Sequence, residues 1–169
     1  TTLFRSGNDV QLLMRIAAYR TNRQQVAKAV DLYQSILERV PENAVALNNL
    51  AALLAEDRDQ KDKALEYIDR AIELAGARGP LLDTKGMILI YNDEVDEAIA
   101  CLKQAVAAPP ANPLHQLHLA AAYYRAGKLD EAESAFNAAR QGNFSRYVGC
   151  LEQTELPRSV CRCLEYIDL

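Results

Sequence analysis

His118-Leu-Ala-Ala-Ala-Tyr-Tyr-Arg-Ala-Gly-Lys-Leu-Asp-Glu-Ala-Glu-Ser-Ala-Phe136 is the stretch whose reading decides the fold. It reads as two short helices joined by a turn at Gly127. Leu119, Ala120 and Tyr123 fall on one side of the first helix, because residues three and four apart share a face. Ala132, Phe136 and Ala139 form the answering face of the second. Gly127 relieves the backbone where the first helix stops, and Asp130 and Glu131 stand in the next first turn, where negative charge is favoured. Small alanines let the two helices approach, while Tyr123 and Phe136 fill the space between them.

The same hairpin occurs four times. Its small first-helix residue recurs as Ala17, Ala51, Gly86 and Ala120, at spacings of 34, 35 and 34. The alanine opening the second helix recurs as Ala29, Ala64, Ala98 and Ala132, at 35, 34 and 34. The second copy is one residue longer, which puts the extra residue in the polar turn between Glu56 and Lys63. The filler follows as Tyr33, Ile68, Leu102 and Phe136. Pro41 and Pro110 close two copies, and the cluster Ala75-Gly-Ala-Arg-Gly-Pro80 is the clearest break in the chain.

On these residues the chain resembles a tetratricopeptide repeat (TPR) protein, whose period is about 34 residues. Leu82-Asp-Thr-Lys-Gly86 ahead of another Asp-Glu-Ala hairpin is similar to arrays of large bacterial repeat proteins, of which this chain would be a fragment. The resemblance implies an all-α fold, a right-handed α-solenoid of four hairpins with a C-terminal capping helix. The expected organisation is a leader over 1–8 and an array over 9–142, with units near 10–42, 44–77, 79–111 and 113–142. A cap or tail follows over 143–169. The first helix is predicted over 9–22 and its partner from Val26 to Val40, with Asn43 as the N-cap of the next. In the tail, Val160, Leu164 and Ile167 lie at helical spacing and would cover the last hairpin, as solenoid ends require.

Half of the 169 residues are apolar, enough for a substantial core. The net charge is −4, with acids and bases interspersed and no basic stripe, which argues against a nucleic-acid partner. No apolar run is long enough to insert in a membrane. Nor does a basic segment lead into a sustained apolar stretch, so no secretion signal is read and the cytoplasm is the default expectation. Thr1-Thr-Leu-Phe-Arg-Ser6 is also what ACG ACG CTC TTC CGA TCT encodes, the end of a common sequencing adaptor. Two readings stand: an ordinary polar leader, or a non-native one, in which case the chain is expected to be a piece of a longer protein and the absent signal says little about location.

The chemistry-bearing residues form no catalytic set. There is no Gly-rich phosphate loop, no Ser/His/Asp or Cys/His arrangement and no carboxylate pair in an apolar setting. His115 and His118 share a helix face, but two ligands are too few for a metal, and both read as polar groove residues. Cys101 reads as a buried thiol beside Leu102. Cys150, Cys161 and Cys163 match no paired zinc spacing, and their role stays open. Lys85 takes the slot held by Ile16, Leu50 and Leu119 elsewhere, so its stem should pack while its head reaches water or an acid. No cofactor and no metal is expected, and the oligomeric state is left open.

What the resemblance implies is a non-enzymatic scaffold or adaptor. In such arrays the first helices line a concave groove that holds a peptide or helix of a protein partner. Carried over by position, the groove comprises Arg15, Asn48, Asn49, Asp83, Thr84, Met87, Tyr91, Leu117, His118, Tyr124 and Arg125. Members that clamp a terminal carboxylate use lysines absent here, which sets this chain apart from them. The alternative is a regulatory segment of a larger enzyme, such as a kinase or glycosyltransferase.

Overall fold

The computed structural model describes residues 2–142, and among them lie eight α-helices and one short 3-10 turn. The helices are α1 (Thr2–Asn22), α2 (Val26–Arg39), α3 (Ala44–Leu54), α4 (Lys61–Ala75), α5 (Gly79–Tyr91), α6 (Val95–Ala107), α7 (Pro113–Arg125) and α8 (Leu129–Gln141). No strand occurs among the described residues. The segment read as a cap, with Cys150, Cys161 and Cys163, lies outside them. The chain divides into two compact units, Thr1–Gly76 and Ala77–Leu169, each described by itself. The division falls within the Ala75–Pro80 break, where Gly76 adopts φ +80.

Helix α1 begins well ahead of the expected 9–22. No proline interrupts residues 2–10, and each residue added to a formed helix gains a hydrogen bond without a new nucleation cost. Gly7 weakens such an extension but does not forbid it.

Three of the four hairpins share one turn. Gln24, Asp93 and Gly127 occupy the left-handed region, at φ 57, 64 and 72. The next residue's N–H returns to the first helix: Gln25 to the Arg20 carbonyl, Glu94 to Leu89 and Lys128 to Tyr123, each at 2.9 Å. This six-to-one bond satisfies carbonyls that the helix end leaves open. The carbonyls of Gln25, Glu94 and Lys128 then accept from Ala29, Ala98 and Ala132 at 3.0 Å, opening the second helices. The second hairpin, with its extra residue, instead uses a 3-10 turn over Arg58–Gln60, where Asp57 accepts from the Asp59 N–H at 3.1 Å.

At two of the three junctions between hairpins an asparagine starts the next first helix. Asn43 accepts from the Ala46 N–H and Asn112 from the Leu114 N–H, both at 3.0 Å. Such a cap contributes about 1 kcal/mol. The first unit buries Ala17, Ala29, Tyr33, Ile36, Leu50, Ala51, Ala64 and Ile68; the second buries Leu82, Gly86, Ile88, Ala98, Leu102, Leu117, Ala120 and Ala139. Each fully buried large side chain contributes about 1.5–3 kcal/mol. Cys101 and Phe136 are half-buried rather than buried, and so is Lys85.

Candidate partner-binding surface

The second unit places two first helices, α5 and α7, in direct contact. Asp83 stands on α5 and His118 on α7, 35 residues apart, one repeat plus one position. The two side chains meet inside the protein: Nδ1 of His118 lies 2.9 Å from both Asp83 carboxylate oxygens. Asp83 is 8% exposed and His118 4%. A carboxylate only accepts, so the imidazole donates from Nδ1. Nε2 is buried with no hydrogen-bond partner among the described residues.

His115 is engaged elsewhere. Its Nδ1 donates to the Ala105 carbonyl of α6 at 3.0 Å, and its Nε2 faces the Asn112 amide at 3.3 Å. This corrects the reading of His115 as a groove residue: it is 3% exposed and ties α7 to the preceding second helix. The two imidazoles therefore serve different partners. Among the described residues no three His, Cys, Asp or Glu side chains gather where they could hold a metal ion.

Around the Asp83–His118 pair the other expected residues divide by exposure. Leu117 is fully buried and Met87 nearly so, so neither presents a surface side chain. Thr84 is half-buried and its hydroxyl donates to the Pro80 carbonyl of its own helix at 3.1 Å. Tyr91 is half-buried, while Tyr124 and Arg125 are exposed. Nη2 of Arg125 donates to Asp93 at 2.6 Å, linking the end of α7 to the turn after α5. A second link on the same side sets Lys128 3.7 Å from Asp96.

In the first unit Arg15 is exposed. Asn48 and Asn49 are half-buried and bonded in series: Asn48 donates to Asn49 at 3.3 Å, and Asn49 donates to the Tyr33 hydroxyl at 3.1 Å. The asparagine pair thus anchors α3 to the buried Tyr33 of α2. The Asn48 carbonyl oxygen is buried with no partner among the described residues. Among the described residues no helix is long and apolar enough to cross a membrane.

Successive helical hairpins, three of them with a common turn, define a helical-repeat protein of the all-α solenoid class. The tetratricopeptide repeat family model matches residues 14–79 and 84–146, and the chain belongs to that family. A TPR repeat-containing protein of Methanocaldococcus jannaschii is 26% identical over 153 residues, covering 83% of this chain and 27% of the relative. The chain therefore spans about a quarter of that relative's length. Among solved structures, a thermophilic TPR protein of Thermus thermophilus is similar at a TM-score of 0.68 and 23% identity, over 99% of this chain and 93% of that one. An O-GlcNAc transferase mutant of Thermobaculum terrenum gives 0.67 at 21% identity, over 71% of this chain and 23% of its own. These two likenesses concern the fold alone.

Proposed function

We propose that the chain is a non-catalytic interaction module that holds an extended or helical segment of a protein partner against the first helices α5 and α7. The observation that carries this reading is the Asp83–His118 pair. A buried, hydrogen-bonded pair between consecutive first helices fixes their spacing, so binding needs little further ordering of the backbone that presents the side chains. Tyr124 offers rigid contact area, and Arg125 a planar fork of five donors that the bond to Asp93 holds in place. Asp93 is 77% exposed, so its bond to Arg125 is solvent-screened and a partner carboxylate can exchange with it. The preferred segment is therefore one with an acidic residue beside an apolar one. In the first unit, Arg15 and the Asn48–Asn49 series occupy comparable first-helix positions.

Selection of peptides from a displayed random library by the full chain tests this. Acidic sequences should be enriched, and their binding should fall about tenfold or more in the Tyr124→Ala/Arg125→Ala double variant, the loss of two interface anchors. Equal binding by the variant and the parent would contradict the reading.

A second reading is a regulatory segment of a larger enzyme. It is favoured by the short share of its relatives that this chain spans, 27% of the archaeal protein and 23% of the O-GlcNAc transferase chain. Recovery of the gene that surrounds this sequence, with a catalytic domain in the same reading frame, would establish it.

A further inference from the structure

In the unbound chain Arg125 already meets a carboxylate, that of Asp93. Its Nη2 donates to Oδ1 of Asp93 at 2.6 Å, from the end of α7 to the turn after α5. The pair is open to water, with the Asp93 side chain 77% exposed and that of Arg125 31%. An exposed ion pair is weak, so a second carboxylate can take the place of the first. Such an exchange swaps one acceptor for another and asks Arg125 for no additional donor.

The turn itself does not need this acid. Asp93 is its left-handed residue, at φ 64, and Gln24 and Gly127 close the equivalent turns at φ 57 and 72 without a carboxylate. A side chain there is held at a conformational cost that glycine avoids. What Asp93 adds to the turn is a charge, and that charge is bonded to Arg125. Its neighbours make the whole turn acidic. Glu94 and Glu97 are exposed, Glu94 caps no N–H of α6 with its side chain, and Asp96 faces Lys128 at 3.7 Å.

We propose that Asp93 is a built-in competitor for the acidic residue of the partner. It occupies Arg125 in the unbound chain and is displaced when a partner carboxylate binds. An isolated carboxylate gains little from that exchange, because one ion pair is lost as another forms. A segment must bring further contact, such as an apolar residue against Tyr124, which is 38% exposed. Asp93 thus lowers the affinity of the surface and raises its selectivity for acidic residues with an apolar neighbour. The role deepens the peptide-binding reading of α5 and α7 and depends on it.

Fluorescence anisotropy tests it, with one labelled acidic peptide from the displayed-library selection titrated by the full chain. Asp93→Asn keeps a neutral oxygen for Arg125 and tolerates the left-handed turn, so the variant folds, as helical circular dichroism checks. It should bind the peptide about two- to fivefold more tightly than the parent at about 50 mM salt, and the ratio should fall toward one near 1 M. Glu94→Gln removes an equal charge one residue further on and should change the affinity little. Equal or weaker binding by Asp93→Asn would overturn the proposal. An equal gain from Glu94→Gln would overturn it as well, by reducing Asp93 to one charge among several. Failure of the peptide-binding reading looks different: the Tyr124→Ala/Arg125→Ala variant would bind as the parent does. Arg125 would then receive no partner carboxylate, and the competitor role would fall with that reading.

Discussion

His118 on α7 donates a hydrogen bond to Asp83 on α5 inside the protein, with Nδ1 2.9 Å from both carboxylate oxygens. Removing one partner leaves the other buried without compensation. His118→Ala should therefore destabilise the second unit by about 2–4 kcal/mol, mostly through the stranded carboxylate. Asp83→Leu with His118→Leu should recover a large part of that, because paired apolar replacement removes both desolvation penalties. Urea unfolding of Asp83→Leu, His118→Leu and the double Leu variant gives the coupling directly. Additive losses would mean that the pair contributes no mutual stabilisation.

Gly86 touches its hairpin partner too closely for any side chain. A Cβ there would lie 2.5 Å from Leu102 Cγ and 2.8 Å from Cδ2, and Leu102 is fully buried. Gly86→Ala should cost about 1–3 kcal/mol by overpacking, offset in part by about 1 kcal/mol of helix propensity. Leu102→Ala on the Gly86→Ala background should cost less than Leu102→Ala alone. Thermal melts of the four chains decide it.

The shared turn sets up a contrast between hairpins. Gln24 adopts a left-handed conformation that costs a side-chain-bearing residue about 1–2 kcal/mol, and glycine avoids that cost while losing some chain entropy on folding. Gln24→Gly should raise stability by about 0.5–1 kcal/mol. Asp93→Gly should give less, since it also removes the carboxylate that Arg125 engages. Gly127→Ala runs the other way and should cost about 1 kcal/mol. Denaturant midpoints measured under one set of conditions rank the three.

Much of this architecture is legible from periodicity. The paired small positions, Asn43 as a cap, the break at Ala75–Pro80 and the longer second turn all follow from local rules about which residues a helix start, stop or close approach accepts. The Asp83–His118 pair is not local. Each residue alone looks like a polar side chain on a first helix, and only their separation of one repeat plus one position signals that they sit on neighbouring first helices. The same blindness affects His115, whose partner is a backbone carbonyl with no sequence signature. The asparagines Asn48 and Asn49 read as ready for a ligand because their residue type suits one. Their engagement with Tyr33 depends on how α3 packs on α2, which residue type does not encode.

The surface on α5 and α7 is tested most directly by nuclear magnetic resonance titration of the labelled full chain with an acidic peptide selected as above. Shifts should concentrate at Thr84, Tyr91, Tyr124 and Arg125, with smaller changes at His118 beneath them, and should vanish in the Tyr124→Ala/Arg125→Ala variant. Shifts confined to the second helices α6 and α8, or unchanged in that variant, would contradict the assignment of the first helices as the binding surface.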